Sequence, residues 1–292
     1  MDNRVIYIEK TDIAATLTTW IYCAFWQMWA AEQMGRDVYI NWPHGHHPGR
    51  CLNAYIDLNK FSEMPNMYDW YFKQPNVSSP PAREVVWEWE NCPQIKPYNF
   101  MSQPLSVIKD YYRKHLHFND ETNRRGQMLV DRYNIDFSKT IGITWRGTDI
   151  YLDGRPRRPI ENYFKFIDEI LEKEPDLRLA CTAEEQRILD PLFARYPNAF
   201  LIEEFYQAPF ECKDNPERFS PMSGYERGLQ PALMVWLFGK CAHYIKNRSS
   251  TGAVASWIST GRIVSIGHPE NLGFPANTDT AEIQGELYPL TQ

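Results

Sequence analysis

Arg146 closes the apolar run Thr-Ile-Gly-Ile-Thr-Trp that begins at residue 140. Gly147, Thr148 and Asp149 follow, then Asp153, Arg155, Arg157 and Arg158, before Pro159 opens a helix. A strand that served only a core would end in ordinary turn residues. An arginine at the carboxyl end of a parallel strand stands where open α/β sheets bind ligands. Its planar fork suits paired phosphate oxygens, and Gly147 lets the backbone come close to a ligand. A second strand end, Asn247-Arg248-Ser249-Ser250-Thr251-Gly252, leads directly into another helical stretch. Here three hydroxyls, the Arg248 cation and the first N–H groups of a helix offer a further anion site. Arg146, Gly147 and Thr148 on one side, with Arg248, Ser249, Ser250 and Thr251 on the other, describe a diphosphate clamp that needs no metal. Read alone, Ser-Ser-Thr-Gly is equally an ordinary helix cap. Arg155, Arg157 and Arg158 either approach the phosphates or form a solvated turn.

The elements that must carry these residues follow an alternating rhythm. Residues 4–9 read as a strand, 14–34 as a helix capped by Gly35, and 37–42 as the next strand, a βαβ opening that points to a parallel sheet. Residues 42–104 are loop-rich and aromatic, and 104–133 read as helix. A new strand starts near 140, followed by helix 159–173, strand 177–182, helix 183–196 and strand 199–204. A long loop leads to a helix ending at Gly239, then strand 242–247, helix 251–259 and strand 262–267. The expected architecture is α/β, with two Rossmann-like parallel-sheet domains and a cleft between them. The boundary is placed so that residues 1–138 form one domain and 139–292 the other, with the last residues returning to pack on the first. Neither G-x-G-x-x-G nor the P-loop signature G-x-x-x-x-G-K-[ST] occurs, so dinucleotide enzymes and P-loop kinases have no support.

Composition sets the outer bounds. The 292 residues are 43% hydrophobic and 23% charged, a globular balance long enough for two cores. A net charge of −6 disfavours nucleic acid and anionic membranes as partners, so phosphate recognition must come from a few placed groups. The six cysteines are scattered, with no C-x-x-C pair, and read as reduced thiols. Residues 13–31 carry no charge, close to the length of a spanning helix, but three threonines and Gln27 interrupt them, so a buried helix is expected. One of two Asn-x-Ser sequons, at Asn247, falls inside the phosphate turn, where a glycan would obstruct a ligand. With no signal peptide visible ahead of the first strand, a cytoplasmic location is expected.

The stretch from Ile143 to Tyr163 resembles the arginine motif of the fucosyltransferase clan, which includes α1,6-, nodulation and protein O-fucosyltransferases. The α1,6 members carry His-x-Arg-Arg-Thr-Asp and then Pro-Ile-Glu-x-Tyr. Arg146, Thr148, Asp149, Pro159, Ile160, Glu161 and Tyr163 match that pattern without a gap. The turn at Ser249 and Ser250 is similar to the clan's later Ser-Ser motif. The resemblance implies a GT-B glycosyltransferase, inverting and metal-independent, with a nucleotide sugar held by the second half and a glycan acceptor by the first. Arg146 would then neutralise the departing diphosphate. The ungapped match puts Gly154 on the family's base position, beside Asp153, which makes Asp153 the first candidate base and Asp149 the second. Either aspartate is also a plausible turn residue.

The departures bear on the donor. The clan's guanine-associated histidine is replaced by Thr144, and its Ala-Thr-Asp strand end reads Cys181-Thr182-Ala183. The donor is therefore either GDP-fucose-like or a UDP-sugar such as UDP-xylose, bound as substrate with no cofactor. His44, His46 and His47 follow a strand of the first half and are read as a metal site, an acceptor contact or base, or a surface loop. The aromatic segments around Tyr68 and Trp87 either stack on an acceptor sugar or simply pack. The rival from another class is a non-catalytic nucleotide-sugar or glycan-binding protein of the same fold.

Overall fold

The computed structural model describes residues 6–9, 17–42, 57–75, 85–87, 100, 103–146, 160–208, 220–247 and 249–266. The chain divides into two compact units, Met1–Arg124 with Met222–Leu233, and Arg125–Pro221 with Met234–Gln292. The divisions at 124/125 and 233/234 fall inside helices and the one at 221/222 just ahead of a helix; the residue 138/139 boundary read from the sequence lies in a short 3₁₀ turn, Phe137–Lys139, directly before a strand.

The first unit contains β1 (Ile6–Glu9), α1 (Leu17–Gln33), β2 (Val38–Asn41), α2 (Leu58–Glu63), β3 (Phe72–Lys73), β4 (Val85–Trp87), α3 (Leu105–His115) and β5 (His117–Phe118). Its sheet is parallel with order β2-β1-β4. The uncharged stretch forms α1, which buries Leu17, Trp20, Ile21, Phe25 and Met28. Phe25 stacks on Tyr112 of α3 at 4.5 Å, and Trp29 meets Tyr111 edge-on at 5.1 Å. The helix is thus a core element walled by aromatics. Among the described residues no helix is long and apolar enough to cross a membrane. Gly35, at φ 67°, ends α1 in the left-handed conformation that glycine adopts without strain.

β2 is an edge strand whose backbone is satisfied by side chains. Asn66 accepts from Trp42 N–H at 2.9 Å and donates to the Ile40 carbonyl at 2.8 Å. Gln74 accepts from Ile40 N–H at 2.9 Å and donates to the same carbonyl at 2.8 Å. The two amides stand in for a missing strand. Asp69 accepts from both, and burial raises its pKa above the usual carboxylate range.

Sequence expectations change in this unit, beginning with Leu58–Glu63, read as loop, which forms α2 behind the Asp57 cap. Val85–Trp87, read as loop, is β4 and pairs with β1, so these residues belong to the sheet. The helix expected over 104–133 is broken. Asn119 donates its backbone N–H to the Tyr71 carbonyl at 3.0 Å, and its side chain accepts from Thr122 N–H at 2.8 Å, capping a new helix. The residues between pair as β5 with β3.

The new helix, α4 (Asp120–Tyr133), leads to the second unit, with β6 (Thr140–Trp145), α5 (Phe164–Lys173), β7 (Arg178–Ala183), α6 (Asp190–Arg195), β8 (Ala199–Leu201), α7 (Gly224–Phe238), β9 (His243–Asn247), α8 (Ser250–Ile258) and β10 (Arg262–Ile266). The helix expected over 183–196 is shorter, because Pro191 can enter only in the first turn, so α6 begins at Asp190. The helix expected from Pro159 starts as a 3₁₀ turn, Ile160–Tyr163, before α5. All five strands are parallel, in the order β10-β9-β6-β7-β8. One face carries Ile141, Ile143, Trp145, Leu179, Cys181 and Ile245 against Phe166, Ile167, Ile170 and Leu192. The other carries Tyr244, stacked on Phe238 of α7 at 5.6 Å, and Lys246, which lies under the start of α8. Helices on both faces make the sheet doubly wound.

Candidate functional site

The strand order fixes where a ligand would sit. The chain runs outward from β6 through β7 to β8, then returns to the other side of β6 for β9 and β10. β6 and β9 are neighbours at the point where the direction of winding reverses. In open α/β sheets the crevice outside the carboxyl ends of such a pair is the binding position. Thr144 and Lys246 are the last registered partners of the two strands. Arg146 and Asn247 therefore emerge side by side at that edge.

They are joined by a clamp that sequence reasoning missed. Asn247 Oδ1 accepts from the Arg146 N–H at 2.8 Å, and Asn247 Nδ2 donates to the Arg146 carbonyl. The Asn247 side chain is buried and extends the β6–β9 ladder by one step, which fixes the backbone from which the guanidinium projects. Arg146 Nε lies 3.4 Å from Glu184 Oε1 at the end of β7, with both side chains about one-fifth exposed. Glu184 is held in turn, its N–H bonding the Trp145 carbonyl at 3.3 Å and its carbonyl accepting from Ala208 N–H at 2.8 Å. The arginine thus sits on a rigid edge beside a carboxylate that a bound anion would compete with.

On β9 the turn leads into α8. Ser249 is the N-cap, with φ −159° and ψ 151°, and its Oγ accepts from Gly252 N–H at 2.8 Å. The capping role weighed from the sequence is therefore real, and such a cap contributes about 1 kcal/mol. It does not consume the group, since a hydroxyl that accepts one bond keeps its proton to donate. Ser250 and Thr251 occupy the first helical positions, where backbone N–H groups have no carbonyl within the helix to bond. Gly252 packs closely: a Cβ there would stand 2.8 Å from both Lys246 Cδ and Ser249 Oγ, so a larger residue would force these two side chains aside and disturb the Ser249 cap.

The face beneath this edge is polar. Thr144 Oγ1 and Tyr244 OH are 2.8 Å apart, Tyr163 OH donates to the Thr144 carbonyl at 3.0 Å, and Lys246 Nζ donates to Ser265 Oγ at 3.3 Å. Thr144, the position of the clan's histidine, is thereby engaged with a neighbouring strand. Thr182 is its register partner on β7.

Arg146, Ser249, Ser250 and Thr251 are placed at the switch point. Gly147, Thr148, Asp149, Asp153, Arg248 and the loop containing His44, His46 and His47 lie outside the described residues. Among those described, no group of three or more His, Cys, Asp or Glu is arranged to hold a metal. Asn247, Glu184 and Lys246 escaped the sequence reading. The adjacent pair Glu184-Glu185 at a strand end and the asparagine next to the Ser-Ser turn were the available signals.

No protein-family model matches the chain, and no curated protein matches it by sequence. Among solved structures, it is similar to fucosyltransferases over most of its length. Fucosyltransferase NodZ from Bradyrhizobium shares 14% identity, with 91% of this chain and 96% of that chain covered and a TM-score of 0.47. POFUT1 in complex with GDP shares 10% identity over 91% and 98% of the two chains, with a TM-score of 0.48. An Arabidopsis thaliana FUT1 mutant in complex with GDP shares 12% over 93% and 72%, with a TM-score of 0.46. At such identities and scores they do not assign the chain to the family.

Proposed function

We propose that the chain is a metal-independent, inverting glycosyltransferase of GT-B type that moves a sugar from a nucleoside-diphosphate donor to a glycan acceptor. The observation that carries this reading is the pairing of Arg146 with the Ser249 turn at the switch point of the five-stranded sheet. A guanidinium on one strand end and a helix start on the next offer complementary charge to two linked phosphates.

In the proposed mechanism the second unit holds the donor and the first supplies acceptor contacts. As the glycosidic bond to the diphosphate breaks, negative charge accumulates on the leaving phosphate oxygens. Arg146 stabilises that charge and exchanges Glu184 for the phosphate. The Ser249 hydroxyl and the first amides of α8 bind the other phosphate. An aspartate, Asp153 or Asp149, takes the acceptor proton while the acceptor oxygen attacks the anomeric carbon from the opposite face. The donor is GDP-fucose-like or a UDP-sugar, and the departures at Thr144 and Ala183 keep both open.

The test is release of nucleoside diphosphate from GDP- and UDP-sugars in the presence of mixed glycan acceptors. Turnover with one donor, lost in Arg146→Ala while the melting temperature stays within a few degrees, is the expected result. Tight nucleotide-sugar binding without turnover for any acceptor would favour a non-catalytic binding protein. Absence of any interaction with nucleotide or sugar nucleotide would overturn the proposal.

A further inference from the structure

Beyond β8 the chain continues along the outer side of β7. Ile202 N–H bonds the Cys181 carbonyl at 3.0 Å, Ala208 N–H bonds the Glu184 carbonyl at 2.8 Å, and Gln186 N–H bonds the Ala208 carbonyl at 3.3 Å. Glu185 and Ala208 form an isolated parallel bridge. This return strand brings Gln207 to the carboxyl edge of the sheet, beside Glu184, the ion-pair partner of Arg146. Both Gln207 amide atoms, Nε2 and Oε1, are buried and have no hydrogen-bond partner among the described residues.

Thr182, two residues before Glu184 on β7, is in the same condition. It is 2% exposed, and its Oγ1 is buried without a partner. Its strand neighbours Cys181 and Ala183 belong to the apolar cluster under α5 and α6, so alternation turns Thr182 to the opposite face, which it shares with its register partner Thr144. Buried polar atoms are almost always hydrogen-bonded, and each one left bare costs free energy. Three such atoms at one edge of one sheet, next to the proposed phosphate site, call for a polar occupant. A glutamine amide presents one donor and one acceptor side by side, and the threonine hydroxyl can supply either.

We infer that Gln207 and Thr182 are base-reading residues of the nucleotide site. The Gln207 amide pairs with the adjacent N–H and carbonyl of a lactam base, guanine or uracil, and the Thr182 hydroxyl takes a further polar atom of the same ring. This inference rests on the proposed function, since it assigns the base of a nucleotide whose phosphates go to Arg146 and the start of α8. It also accounts for retaining polar side chains where an apolar residue would be more stable. The site gives up stability in the empty protein and recovers it when the ligand is bound.

The experiment compares binding of GDP, UDP and inorganic pyrophosphate by calorimetry in the wild type, Gln207→Met and Thr182→Val, together with melting temperatures of the ligand-free proteins. Each variant should bind the preferred nucleotide roughly 10-fold to 100-fold more weakly, because the base's own polar groups are then left unpaired. Pyrophosphate binding should be unchanged, and the ligand-free variants should melt at or above the wild-type temperature. Variants that bind the nucleotide as tightly as wild type would overturn the inference and leave the proposed function standing. Equal weakening for pyrophosphate would also overturn it, as would ligand-free variants melting several degrees lower, which would mark the groups as structural sites bridged by water. A wild type that binds neither nucleotide nor pyrophosphate would instead sink the functional reading itself, and the inference with it.

Discussion

Replacing Asn247 with leucine should cost both stability and phosphate affinity, in a ratio that the geometry sets. The amide accepts from the Arg146 N–H at 2.8 Å and donates to the Arg146 carbonyl, one step beyond the last registered pair of β6 and β9. Leucine has nearly the same volume and offers neither bond. A buried backbone group left unpaired costs about 1–3 kcal/mol. The Arg146 side chain is only about one-fifth exposed, yet the strand end is open enough for water to take up part of the deficit. About 2 kcal/mol for the pair is therefore expected. For a unit of this size that corresponds to a fall in melting temperature of about 4–8 °C. Pyrophosphate affinity should fall by more than this folding loss implies, because the guanidinium loses its fixed origin while the protein remains folded at assay temperature. Asn247→Asp keeps an acceptor for the N–H but sets a carboxylate oxygen against the Arg146 carbonyl, and should be no better. Thermal denaturation followed by circular dichroism, paired with pyrophosphate titration, measures both effects. A leucine variant that melts within a degree of wild type and binds pyrophosphate equally well would refute the clamp.

Three other expectations follow from single residues. Glu184→Gln removes the carboxylate that faces Arg146 at 3.4 Å, so pyrophosphate should bind about twofold to fivefold more tightly, in keeping with a partly exposed ion pair, and unchanged or weaker binding would show that the carboxylate does not compete. His115 is buried, with Glu32 Oε1 3.2 Å from its Nε2 but not aligned as a hydrogen bond, and burial lowers its pKa to about 4. The unfolded chain then binds more protons between about pH 6.5 and 4, so the stabilisation is complete above pH 6.5 and is lost as the pH falls through that window. The loss is about 3 kcal/mol at most, and His115→Phe should flatten the dependence of the melting temperature on pH. Cys181 and Cys241 are buried, and burial pushes the Cys241 thiol up to about 12 and Cys181 higher still, so neither should be alkylated at neutral pH until the protein is denatured, as peptide mass spectrometry would report.

Much of the second unit was legible because its strands are short apolar runs that alternate with helices. Ile141, Ile143 and Trp145 alternate with Gly142 and Thr144, and the alternation marks which residues meet α5 and α6. The arginine and serine motifs could be placed at strand ends for the same reason. The structure adds what local pattern cannot carry. Asn247 acts on a residue 101 positions away, and no spacing within either strand announces it. The break between α3 and α4 was missed because no proline marks it, and the polar run Asn119–Gln127 reads equally as one exposed stretch of a continuing helix. What stops the helix is a long-range bond from Asn119 to Tyr71 and pairing with β3. β4 is three residues long, too short for its period to stand out from the surrounding loop, and it exists because β1 offers it a free edge. Gln207 could not be found at all from sequence, since its interest lies in bonds that it does not make.

The account turns on whether a diphosphate lodges between Arg146 and the first turn of α8. The direct measurement is a crystal structure of the protein grown with the nucleoside diphosphate that most raises its melting temperature. The account predicts one phosphate within hydrogen-bonding distance of the Arg146 guanidinium, freed from Glu184, and the other at the Ser249 hydroxyl and the amides that follow it. A nucleotide bound elsewhere, with the Arg146–Glu184 pair intact, would contradict it.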